Sequence, residues 1–111
     1  MAFQEGGNDG TISSTSPVTI VSGPSSGRRI VKYFSIYNPE ANGGISVSIR
    51  VNNNSSYRRI WSGTLDGGDT FIFGDVNEVI VLDSSSKSIE VVLGSTPTSA
   101  LEFVASWGDA S

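Results

Sequence analysis

The 111-residue chain contains no cysteine and no histidine, a single methionine and only four prolines. Without cysteine there is no disulfide and no thiol nucleophile. Without histidine there is no imidazole base, no Ser-His-Asp triad and no zinc site built on Cys and His. No apolar run approaches the roughly 18 residues of a membrane span, and the N-terminus has no basic segment followed by an apolar one. The sequence therefore reads as a protein with no membrane partner that is not exported by a secretory signal. Glycine and serine are abundant instead, 13 and 20 residues, yet hydrophobic residues still reach 37% and fall in short ordered runs. This length supports one hydrophobic core.

The composition changes at Pro17. Met1 to Ser16 holds three Gly, three Ser and two Thr, with Phe3 and Ile12 as its sizeable apolar side chains besides Met1. Such a segment buries too little apolar surface to offset its ordering entropy, which predicts a flexible N-terminal arm over 1–16. It reads either as a frayed terminus or as an arm that orders on a partner through Phe3 and Ile12.

From 17 to 111 short apolar runs alternate with turn residues. Ile45, Val47, Ile49 and Val51 alternate with polar residues, a period of two that puts four β-branched side chains on one face of a strand. Ile30 to Tyr37 is rich in β-branched and aromatic residues and stops at Asn38-Pro39, so these two runs read together as a hairpin with a long loop. Further strands are expected at about 18–22, 57–65, 70–73, 79–82, 88–93 and 101–107. Asp66-Gly67-Gly68-Asp69, Asp83 to Ser86 and Gly94 to Pro97 supply turns. Ser99-x-x-Glu102 fits a helix capping box, but the alternation of Leu101, Phe103, Ala105 and Trp107 favours a strand. Eight short strands at this spacing predict an all-β protein: a single antiparallel β-sandwich, jelly-roll or immunoglobulin-like.

Charge is unevenly distributed. Six of the seven cations (Arg28, Arg29, Lys32, Arg50, Arg58 and Arg59) lie between 28 and 59 beside one anion, whereas 60–111 has eight anions and Lys87. This layout fits a mixed-sign solvated surface, or complementarity between copies or with a larger assembly. A net charge of −4 with two arginine pairs does not make the broad basic stripe that phosphate binding needs, so no nucleic-acid partner is expected. Arg28, Arg29, Arg58 and Arg59 join Phe3 and Ile12 as candidate protein-contact residues.

Apparent motifs for chemistry dissolve on inspection. Gly23-Pro24-Ser25-Ser26-Gly27 matches G-x-S-x-G, but strands flank it and no histidine could activate the serine. Asp66, Asp69, Asp75 and Glu78 supply carboxylates for glycoside cleavage or calcium, yet they sit in turns and match no calcium loop. No catalytic residue, cofactor or metal is expected. Tyr33, Tyr37, Tyr57, Trp61 and Trp107 read as core or subunit contacts, or as a glycan platform.

The run Arg28 to Asn38, then Ile45 to Arg50, then Thr64-Leu65-Asp66-Gly67-Gly68-Asp69-Thr70, then Val79 to Leu82 and Ser88 to Val91, resembles small structural virion proteins of tailed bacteriophages. There a strand ending in Asn, a polar-alternating strand, an L-x-x-G-D/E turn and a short v-x-L strand recur in this order. The resemblance implies a non-enzymatic capsid decoration or cement protein that binds the major capsid protein or other virion proteins. It would work as a homo-oligomer, a trimer favoured, within the virion after assembly in the host cytoplasm. The alternative is a tail- or fibre-associated module that recognises host surface glycans.

Overall fold

The computed structural model describes residues 3–74 and 78–110, and for Phe3 the backbone alone. Nine strands occur among the described residues: β1 (Phe3–Ile12), β2 (Val18–Ser22), β3 (Arg28–Tyr37), β4 (Ile45–Asn53), β5 (Ser56–Leu65), β6 (Thr70–Phe73), β7 (Ile80–Leu82), β8 (Lys87–Leu93) and β9 (Leu101–Ala110). One sheet has the order β1-β9-β3-β6, with β7 also on β3; the other has β2-β8-β4-β5. The pairing is nested: β4 with β5, β3 with β6 and β7, β2 with β8, β1 with β9. Rolling that long hairpin brings β9 beside β3 and β8 beside β4. This is a jelly roll, and it decides between the two sandwich topologies expected.

Two expectations change. Runs 30–37 and 45–52 are strands, but they do not form a hairpin: β3 and β4 lie in opposite sheets, and 38–44 crosses between them. Their apolar faces meet across the core rather than through shared backbone hydrogen bonds. In place of the flexible segment expected over 1–16, the structure has β1 paired with β9 over ten residues, Phe3↔Ala110 to Ile12↔Leu101.

The reason lies in the glycines of β1. Gly6 stands opposite Trp107 and Gly10 opposite Phe103. A Cβ on Gly6 would lie 2.5 Å from Trp107 Nε1, and one on Gly10 would lie 3.0 Å from the Phe103 ring. These glycines make room for aromatic rings that lie across the edge strand. Ile12 is fully buried, and Asn8 Nδ2 donates to the Ile20 carbonyl of the other sheet at 3.0 Å.

The core is the space between the sheets. Ile12, Val31, Phe34, Ile36, Leu82, Leu101 and Phe103 face Ile20, Val47, Ile49, Leu65, Ile89, Val91 and Leu93. Phe34 stacks on Phe73 at 5.0 Å, and Trp61 of β5 reaches Phe71 of β6 at 4.7 Å, closing one side of the sandwich.

Candidate interaction surfaces

Alternation along a strand gives each sheet an outer face, and the two outer faces differ in chemistry. On the β1-β9-β3-β6 sheet, Ser35 pairs with both Ile72 and Val104, so these residues form one outward row. Tyr33 and Val81 lie in neighbouring rows through Ser106 and Ile30. Ile72 is 61% exposed and Val104 51%, with Tyr33, Val79 and Val81 also exposed. Ser35 lies between Ile72 and Val104, while Ser106 and Gly7 continue the Tyr33 row and Asp9 continues the Val104 row to the β1 edge. Five of the six large exposed hydrophobics of the described residues belong to this sheet or to its β7 approach. Exposed apolar side chains grouped on one sheet face, here interrupted by Ser35 and bordered by Asp9 beside Val104, mark a candidate contact surface.

The outer face of the β2-β8-β4-β5 sheet is polar. Ser46 pairs with Thr64, Ser48 with Ser62, Arg50 with Arg59 and Asn52 with Tyr57. Arg50 Nε donates to Glu90 Oε1 at 3.0 Å, Asn52 Nδ2 donates to Glu90 Oε2 at 3.0 Å, and the Arg50 guanidinium lies 3.8 Å from the centre of the Tyr57 ring. Ser48, Arg50, Tyr57 and Arg59 line a depression of about 330 Å³.

The structure separates the four candidate arginines. Arg28 and Arg29 lie on β3, whereas Arg58 and Arg59 lie on β5 of the opposite sheet. Arg29 is held by Asp109 in a two-point pair, Nε to Oδ1 at 2.8 Å and Nη2 to Oδ2 at 2.9 Å. Its Nη1 donates to the Ser22 carbonyl at 2.7 Å, and its guanidinium lies 4.5 Å from the Trp107 ring. Hydrogen bonding from Arg29, with its charge, lowers the Asp109 pKa against the opposing effect of burial. Lys87 lowers that of Asp83 in the same way, across a 2.8 Å pair. Arg58 and Arg59 are exposed. Of the two expected anchors, Ile12 sits in the core and the Phe3 side chain lies outside the described residues. Trp61 is partly buried and packs against the core, whereas Tyr57 and Tyr33 are exposed. Gly23 to Gly27 is the connection between β2 and β3. Of the four acidic residues weighed for chemistry, Asp75 lies outside the described residues, and Asp66 and Asp69 flank the turn before β6.

A feature not read from the sequence is the buried pair Asn38 and Asn42. Asn38 Nδ2 donates to the carbonyls of Gly43 at 3.1 Å and Leu65 at 2.7 Å. Asn42 Nδ2 donates to Asn38 Oδ1 at 2.8 Å and to the Ser99 carbonyl at 2.7 Å, and its Oδ1 accepts from the Ser99 N–H. The backbone of Asn38 fixes the Asp66–Asp69 turn, accepting from Gly68 N–H at 2.6 Å and donating to the Asp69 carbonyl at 2.9 Å. The sequence signal was Asn recurring beside Pro39 and Gly43 in one crossover.

No family model and no curated protein matches the sequence. Solved structures do share the fold. A chain of the disulfide-linked pili of Bacillus endospore appendages is similar with a TM-score of 0.58 and 9% identity, over 98% of this chain and 87% of that one. A chain of the cyanophage Pam1 capsid asymmetric unit has a TM-score of 0.51 and 11% identity, over 98% and 84%. A chain of the T13 IBDV viral particle has a TM-score of 0.56 and 7% identity; 96% of this chain covers 30% of that one. At these identities the likeness is one of fold.

Proposed function

We propose that this protein is a non-enzymatic structural protein of a tailed-phage virion, a capsid decoration or cement protein that binds across capsid subunits. The observation that carries the reading is the apolar outer face containing Tyr33, Ile72, Val81 and Val104 on a jelly roll whose other face is polar. Three ten-residue strands, with the short β6 and β7 sharing the fourth position, offer at most roughly 33 by 19 Å, about 600 Å² in projection for the whole face. That approaches the ~800 Å² per partner of a standard interface. The capsid and pilus proteins that share the fold support an assembly role, and the absence of cysteine excludes disulfide links between the copies of this chain.

Stabilisation follows from linkage. A protein that binds only the assembled shell stabilises it by about 4 kcal/mol per site at a thousandfold excess over Kd. The glycan-binding alternative is less favoured because Trp61, one of the two tryptophans of the candidate sugar platform, is partly buried and packs against the core and Phe71. The test is sedimentation of the protein with undecorated phage heads, together with the melting temperature of the heads. Co-sedimentation and a raised melting temperature are expected; a protein left in the supernatant contradicts the reading.

A further inference from the structure

The charge asymmetry of the sequence survives folding in part, as one acidic end and an opposite end where five cations lie among Glu5, Asp83 and Asp109. One end of the sandwich carries Glu40, Asp66, Asp69 and Glu102, all exposed, and its segments 38–45, 65–70 and 94–102 contain no Lys or Arg. The opposite end carries Arg28, Arg29, Arg58, Arg59 and Lys87. Two of these cations are paired there, Arg29 with Asp109 and Lys87 with Asp83.

Towards the basic end, Arg50 and Arg59 stand directly opposite each other on paired strands. Like charges in that position repel. Glu90 compensates Arg50, but Arg59 is exposed and has no ion pair among the described residues. The depression between them is built in advance: Arg50 is fixed by Glu90 and by the Tyr57 ring, and Ser48 supplies a hydroxyl. Its volume of about 330 Å³ is ten times the ~30 Å³ share of one water. A like-charge pairing in which only one partner, Arg50, is compensated is a place where function is expected.

The acidic end supplies a matching projection. The Asp66–Asp69 turn is rigid, pinned by two hydrogen bonds to the Asn38 backbone. Gly68 adopts a φ of +90°, and a Cβ on Gly67 would lie 2.1 Å from the Asn42 carbonyl oxygen. Both partners are therefore preorganised, which removes ordering losses on contact. We propose that copies of this chain associate end to side, the Asp66–Asp69 turn of one copy seated between Arg50 and Arg59 of the next. One turn in one depression is well below the ~1,000 Å² of a stable interface, so the contact is weak alone and gains from repetition. It is heterologous, and because the projection lies at an end and the socket on a side, successive copies turn and can close into a ring. The contact needs no capsid, so it stands or falls separately from the virion reading.

The test is sedimentation equilibrium of the free protein at about 0.01 M and 1 M salt, where the screening length is about 30 Å and 3 Å. The average mass of the wild type is expected to rise above one chain with concentration at low salt and to return to one chain at high salt. Arg59→Glu and Asp69→Arg are each expected to lose association alone. Mixed, they are expected to regain it, because the turn of the first fits the socket of the second; this recovery also establishes that both variants fold. A wild type that stays monomeric at low salt overturns the proposal. So does undiminished association of either variant, or a monomer whose arginine pair instead binds heparin with an affinity reduced by Arg59→Glu.

Discussion

Asn38 is fully buried, and its one amide ties the 38–44 crossover to the end of β5. Replacing it with Ala leaves the Gly43 and Leu65 carbonyls without this donor and removes one of the two acceptors of Asn42 Nδ2. The expected loss is about 1–3 kcal/mol, the cost of leaving one buried group, the Leu65 carbonyl, without this donor. Urea unfolding of Asn38→Ala measures this, and a change below about 0.5 kcal/mol would mean that water replaces the amide. Asp109 gives a pH dependence instead. Its folded pKa is lowered, first by hydrogen bonding from Arg29, so its contribution is present above the unfolded value and is lost as pH falls through the folded one. Its side chain is 32% exposed, which keeps the pair in the range of about 0–1 kcal/mol. Stability is expected to fall below about pH 4, and Asp109→Asn to show a smaller fall over the same range. Acid titrations of both proteins, followed by thermal unfolding, compare the two slopes.

At the scale of elements, β1 tests whether the N-terminal segment is a strand or an arm. Ile12 is 0% exposed, so Ile12→Ala is expected to destabilise by about 2–5 kcal/mol, whereas a side chain on a free arm would change nothing. Gly6→Ala places a methyl against the Trp107 indole and is expected to cost about 1–3 kcal/mol and to shift tryptophan emission. Hydrogen exchange provides the complement: alternate amides of 4–12 are expected to be protected through β9, whereas uniform fast exchange would describe an arm. Strands β2 and β6 were legible to the residue because alternation and flanking turns agree. β1 was not, because Gly6 and Gly10 look like flexibility in a sequence and act as packing space only once Trp107 and Phe103 lie opposite them. The 30–37 and 45–52 hairpin was misread for a related reason: alternation locates a strand but does not name its hydrogen-bonded neighbour.

For the whole molecule, sandwich architecture was legible and strand order was not, since nested pairing joins residues as distant as Phe3 and Ala110. The contact face was hidden in the same way. Ile72 and Val104 are apolar residues out of phase with their core-facing neighbours, and the phase is fixed only when Ser35 places both in one outward row. The charge asymmetry was visible in the chain, but the pairing of Arg50 with Arg59 and the rigid acidic turn emerged from the fold. The proposed capsid contact and the proposed contact between copies thus fall on different outer faces of the sandwich.

The most direct measurement compares three proteins in co-sedimentation with undecorated phage heads: wild type, Val104→Lys on the apolar face, and Thr19→Lys on the polar face. Both substituted positions are exposed, so equal melting temperatures are expected for the free proteins. The expected result is that wild type and Thr19→Lys pellet with the heads and raise their melting temperature, while Val104→Lys stays in the supernatant. Equal binding by all three, or by none, would contradict the assignment of this face to the capsid.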